Sequence, residues 1–117
     1  MFKSYAIQFT DTMIHVPSVQ EAMGFWTFKM GFEYKEGGFG WMALEDKKTK
    51  QKIVLTEEDF GSPWALAFST TNFDETLEKL SESKITIKTR VITPGGFKHA
   101  LCHDELGIPL LVYVRSE

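Results

Sequence analysis

Residues 11–26, DTMIHVPSVQEAMGFW, carry the end of a strand, a short turn and the start of an amphipathic helix. Upstream, Tyr5, Ile7 and Phe9 alternate with Ala6, Gln8 and Thr10, the period of two that marks a strand, so the spacing predicts a strand over 5–15. Ser18 is placed as a helix N-cap, and Glu21 three residues on completes a capping box that satisfies two orphan backbone donors. Val19, Ala22, Met23, Trp26 and Met30 then fall on one helical face. Gly31 supplies the stop, because glycine accepts the left-handed conformation at a helix end. Short strands are predicted at 32–36, 39–45 and 52–56, with turns at Gly37-Gly38 and at 46–50.

Past the linker EEDFGSP (57–63) the pattern returns. A strand is predicted at 64–69, and Asn72 caps a helix with Glu75 three residues later. Phe73, Thr76, Leu77 and Leu80 repeat the spacing of Val19, Ala22, Met23 and Trp26, shifted by 54. Ile85, Ile87, Thr89 and Val91 alternate as a strand. Pro94-Gly95-Gly96 makes a turn, and strands at 97–103 and 109–114 flank a turn at 104–107. GGFGWMALED (37–46) and GGFKHALCHD (95–104) agree at Gly, Gly, Phe and Asp, shifted by 58. The chain therefore reads as one α+β domain over 1–117, made of two βαβββ units at about 4–56 and 63–115. Each unit leaves an open sheet edge and needs the other. The expected result is a curved, partly closed eight-stranded sheet with helices on the convex face and the concave face free for a ligand.

Composition narrows the function. A net charge of −3 over 117 residues argues against nucleic acid, since phosphate binding needs a basic face. The cluster Lys47-Lys48-Thr49-Lys50 is a solvated turn. No apolar run reaches the ~20 residues of a membrane span, and the N-terminus has no signal-peptide pattern. The single Cys102 forms no internal disulfide and fits a reducing compartment, so a cytoplasmic location is expected. Ten Phe and three Trp are many rings for a chain of this size, enough to line a cavity as well as fill a core.

The paired βαβββ layout, the strand-to-FW helix of 11–26 followed by MGF at 30–32, and the ending HDELGIPLLVY (103–113) together resemble the vicinal oxygen chelate superfamily. That superfamily includes glyoxalase I, extradiol dioxygenases, fosfomycin-resistance enzymes and bleomycin-resistance proteins, and the resemblance runs over about residues 4–115. It implies four metal-ligand positions, usually His, Glu or Gln. In this chain they fall on Asp11, Val54, Trp64 and Leu111. Only Asp11 could coordinate, and a stable divalent site wants at least three protein ligands. The general base such enzymes use is missing there too. The resemblance thus points to the metal-free bleomycin-resistance group, which keeps the cup and sequesters a drug, with no cofactor and no catalytic residue.

Strand alternation extends the expected lining. Met13 and His15 follow Asp11, Lys52 and Thr56 follow Val54, and Leu66 and Phe68 follow Trp64. Pro109 and Tyr113 follow Leu111. The resemblance implies that His99, Leu101 and His103 point inward, and the 58-residue shift makes Trp41 and Ala43 their counterparts. The ligand-binding set is then Asp11, Met13, Trp41, Val54, Trp64, His99, Leu101 and Leu111, suited to a flat aromatic or cationic molecule. Plainer roles compete. Trp41 and Trp64 suit a core as well as a wall, and Asp11 suits a solvated strand edge. Trp26 packs toward the sheet, and His15 is exposed before the helix. His103 partners the Asp104 turn, and it lies roughly 13 Å from His99 along the strand, too far to share a metal. Cys102 is a small buried hydrophobe. The expectation is a metal-free, drug-like small-molecule-binding protein resembling antibiotic-resistance proteins. A homodimer is expected, with no nucleic-acid or membrane partner. The alternative is a metal-dependent lyase, dioxygenase or thiol transferase drawing ligands from Asp11, His99, Glu57 or Glu58.

Overall fold

The structure, a computed structural model, describes residues 7–92 and 98–114. The expected strand start at Tyr5-Ala6, the Pro94-Gly95-Gly96 turn and Phe97 at the head of the 97–103 strand lie outside the described residues. In chain order the elements are β1 (Ile7–His15), α1 (Val19–Gly24), β2 (Phe32–Gly38), β3 (Trp41–Asp46), β4 (Lys52–Thr56), β5 (Trp64–Thr70), α2 (Phe73–Glu82), β6 (Thr86–Ile92), β7 (Lys98–His103) and β8 (Pro109–Val114). The hydrogen-bonded strand order is β2-β3-β4-β1-β5-β8-β7-β6. β1 pairs with β4 and β5 with β8 in parallel, while the hairpin pairs are antiparallel. This is the mixed eight-stranded sheet with two helices that the repeated pattern predicts, an α+β fold. None of the helices in the described residues is long and apolar enough to cross a membrane.

Among the described residues two compact units result, Asp11–Ala65 and the combination of residues 7–10 with 66–92 and 98–114. In Asp11–Ala65, Ser18 Oγ accepts from the Glu21 backbone N–H at 3.3 Å, as the capping box requires. A second helix-end donor is met from far along the chain: Glu57 Oε2 accepts from the Val19 N–H at 3.0 Å. α1 then widens into a π-helical turn over Phe25–Lys29, where Thr27 Oγ1 donates to the Met23 carbonyl at 2.8 Å. A hydroxyl bonding back to the preceding turn in this way bends a helix. Gly31, at φ +78°, ends it. The core packs Val16, Val19, Met42, Leu44, Ile53 and Leu55 with Ile14, Met23, Trp26 and Phe32. Leu44 and Leu55 are fully buried, each worth about 1.5–3 kcal/mol.

One turn is displaced from its expected place. Gly37 and Gly38 are the last residues of β2, and the chain reverses at Phe39-Gly40, with Gly40 at φ +77°. A tight hairpin needs a left-handed residue, and Gly40 supplies it.

In the other unit, Asn72 Oδ1 accepts from the Glu75 N–H at 3.4 Å and Asn72 Nδ2 donates to Glu75 Oε2 at 2.6 Å. α2 lays Phe73, Leu77 and Leu80 on Ala100, Cys102 and Val112. The Thr70 and Thr76 hydroxyls meet at 2.8 Å beneath it. Arg90 pairs with Asp74 and holds its guanidinium over the Phe73 ring at 5.6 Å. The terminal strands β2 and β6 each carry a bulge, at Lys35 and at Lys88. A bulge and a lysine on an edge both discourage further strand pairing.

Candidate functional site

Each unit buries one sheet face under its helix, and the opposite face carries the expected site residues other than Trp64. In Asp11–Ala65, Met42, Leu44, Ile53, Leu55 and Ile14 point to α1, so alternation sends their neighbours the other way. Register groups those neighbours into rows. Trp41 stands beside Thr56, and Thr56 beside His15. Ala43 stands beside Val54, and Val54 beside Met13. Glu45 stands beside Lys52, and one step before the Thr12–Ile53 pair Asp11 falls beside Lys52. Four expected residues, Asp11, Met13, Trp41 and Val54, are thus gathered on one face.

Trp41 is 37% exposed. Its indole lies over Gly38, where a Cβ would overlap Nε1 and sit 3.1 Å from Cε2. The glycine that the sequence assigns to a turn is instead a seat for the ring. Glu45, which sequence reasoning passed over, is only 8% exposed. Lys35 Nζ reaches its Oε1 at 3.7 Å and that of Glu33 at 3.5 Å. Its position in WMALED, two residues after Ala43, was the available signal.

In the other unit, Ala100, Cys102, Leu110, Val112 and Val114 face α2. Leu101 and Leu111, both buried, are cross-strand partners on the opposite face with Ala67 alongside. The next row is His99, Tyr113 and Ser69. Tyr113 OH donates to Thr10 Oγ1 at 2.9 Å, and Thr10 Oγ1 donates to the Ala67 carbonyl at 3.3 Å. Ser69 Oγ, in a residue only 1% exposed, has no hydrogen-bond partner among the described residues.

The expected phase of β5 is corrected by this register. Leu66, Phe68 and Thr70 pair with Leu110, Val112 and Val114 on the α2 side, while Ala67 and Ser69 accompany Leu111 and Tyr113. Trp64, 44% exposed at the strand's start, is in phase with Leu66. The 54-residue shift of the helices carried the signal: it takes Asp11 to Ala65, one residue past Trp64.

Other residues settle locally. His103 Nδ1 lies 3.2 Å from the Asp104 carbonyl oxygen, the predicted turn contact. Asp46 Oδ1 accepts from the Lys48 and Thr49 N–H groups at 2.8 and 2.9 Å. Those backbone donors, first Thr49 and then Lys48, hold its carboxyl below the ordinary carboxylate range. At the repeat position, Asp104 Oδ1 accepts from Leu106 and Ile108, both at 2.9 Å. Burial pushes the Cys102 thiol up to about 11. Glu57, a candidate ligand under the enzyme alternative, is committed to capping α1. Among the described residues no three His, Cys, Asp or Glu side chains gather closely enough to hold a metal.

This topology is the fold of the glyoxalase/bleomycin resistance/dioxygenase proteins. The chain superposes on the NAD-dependent benzaldehyde dehydrogenase of Legionella pneumophila with a TM-score of 0.71 and 14% identity, over 90% of this chain and 97% of that one. Methylmalonyl-CoA epimerase from Mycobacterium tuberculosis gives 0.61 and 10%, over 100% and 94%. A glyoxalase/bleomycin resistance protein/dioxygenase superfamily member from Vibrio splendidus gives 0.58 and 12%, over 90% and 97%. At these identities the likeness establishes the fold, and a fold of this kind hosts many activities. No protein-family model and no curated protein matches the chain.

Proposed function

We propose that the chain is a metal-free small-molecule-binding protein for flat, aromatic or cationic drug-like compounds. The observation that carries this reading is Trp41. A large ring left more than a third exposed, seated on a glycine and flanked by the Ala43–Val54–Met13 row, is a ready stacking surface. The residues at the positions where the resemblance implies metal ligands support it, since Val54, Leu111 and Ala65, which the register puts in place of Trp64, offer no donor. The large exposed apolar side chains Phe25, Phe28 and Met30 near the end of α1 support a homodimeric form.

The test is an intrinsic-fluorescence titration with a panel of flat neutral and cationic aromatics, run beside a thermal-shift series with chelator and with divalent metals. Binding is expected to quench Trp41 emission and raise the melting point by mass action, and chelator is expected to change nothing. A melting point that rises with one divalent metal and falls with chelator would refute the metal-free reading. No response to any compound would refute the binding reading.

A further inference from the structure

Gly24 ends α1 with no conformational reason to be glycine. Its backbone is ordinary right-handed helix, φ −57° and ψ −45°, and a Cβ there would meet nothing among the described residues within 4 Å. Glycine in a helix costs stability relative to alanine. We propose that a second copy of this chain fills the open space: two α1 segments pair antiparallel about a two-fold axis, each laying its Phe28 over the partner's Gly24. This deepens the homodimeric reading above and rests on it.

The helix places the needed residues on one side. Val19, Ala22, Met23 and Trp26 pack inward on the core, while Glu21, Phe25, Phe28 and Lys29 are exposed. Four steps of an α-helix overshoot one revolution, and four steps of a π-helix fall short of one. The π-turn over Phe25–Lys29 therefore cancels the drift, and Glu21, Phe25 and Lys29 stay nearly in line. Gly24 and Phe28 lie together on one side of that line. A helical side chain leans toward the N-terminus of its own helix. In an antiparallel pair centred on Phe25, Phe28 stands level with the partner's Ala22 and leans toward the partner's Gly24.

Charge and area choose the occupant. Glu21 and Lys29 are four residues either side of Phe25, and neither makes an ion pair among the described residues. Antiparallel pairing about Phe25 sets each Glu21 against the partner's Lys29, as a self-complementary interface requires. One acid and one base suit a second copy better than an anionic membrane, which favours a basic face. Phe28 is 90% exposed, Phe25 48% and Met30 49%. Aromatic side chains carry about 150–250 Å² each, so each copy brings roughly 300–400 Å² of apolar surface. With the usual share of polar rim, two copies bury about 1,200 Å², the lower end of stable interfaces. The dimer is expected to dissociate on dilution.

The experiment is sedimentation equilibrium of the full chain over a concentration series at low salt, with thermal unfolding of the dilute monomer beside it. Wild type is expected to show a reversible dimer, and Phe28→Ser to weaken it about tenfold. Gly24→Ala is expected to raise the melting point of the monomer, because alanine favours the helix, and yet to weaken the dimer about tenfold by filling the space for the ring. Glu21→Lys and Lys29→Glu, each turning two attractive contacts repulsive, are expected to weaken it about fivefold, and the two together to restore it. The helix dipole also favours both native charges, but it offers no such restoration. Undiminished dimer in a folded Gly24→Ala variant, or a double swap as weak as the single ones, would overturn this pairing and leave the homodimeric reading in place. A monomer at every concentration would overturn both, with the small-molecule reading still judged by its own titration.

Discussion

Gly38→Ala separates the seat of Trp41 from the rest of the fold. Gly38 does not occupy the left-handed region, so alanine fits its backbone. The loss of unfolded-state freedom then favours the variant by about 0.4–1 kcal/mol. The new methyl meets the indole, however. It finds Cε2 at 3.1 Å and Cδ1 at 3.3 Å, where carbon contacts settle near 3.5–4.0 Å. The ring must lift or swing away from β2. A tryptophan buries on the order of 150–250 Å². Uncovering about a quarter of that costs roughly 1.2 kcal/mol at 25 cal/mol per Å². The two effects nearly cancel, and a net destabilisation of about 0.5 kcal/mol is expected by urea titration. The optical signal does not cancel. Emission assigned to Trp41, by difference against Trp41→Phe, is expected to shift to the red. Affinity for flat aromatic probes is expected to fall severalfold. A variant that gains the full 0.4–1 kcal/mol with unchanged Trp41 emission would show that the ring does not rest on Gly38, and the stacking surface would lose its basis.

Ser69→Ala removes a buried hydroxyl that has no partner among the described residues, and is expected to stabilise the protein by about 1 kcal/mol in thermal unfolding; a lower melting point would show the hydroxyl to be satisfied. The Cys102 thiol, pushed up to about 11 by burial, is expected to resist a disulfide reagent at pH 8 in the native state and to react at once in denaturant; rapid native labelling would contradict its burial under α2. Asp46 has a folded-state pKa below its unfolded one. Its contribution to stability is therefore present above the unfolded value and lost as pH falls through the folded value. Asp46→Asn is expected to flatten the acid limb of the stability profile below about pH 4, and an unchanged limb would contradict the two backbone hydrogen bonds.

The sequence by itself determined the elements, because their signals are local. Ser18 with Glu21 and Asn72 with Glu75 mark both helix starts. Period-two alternation marks the strands, and the 54- and 58-residue shifts reveal the repeat. The resemblance implied a common face for Asp11 and Val54, and alternation, which holds within one strand, added Met13 to it. The sequence misplaced the turn at Gly37-Gly38, since three glycines lie within four residues and only the folded backbone shows which takes positive φ. It set Trp64 in the wrong phase for the same kind of reason: a slip of one residue reverses every side chain on a strand, and only hydrogen-bond register with β8 removes that ambiguity. The tertiary structure alone decided that Glu57 caps a helix 38 residues away, that Gly38 seats an indole, and that Glu45 is a buried carboxylate on the face of Trp41. The first joins positions far apart in the chain, and the other two depend on hairpin register and burial, which only the folded sheet sets.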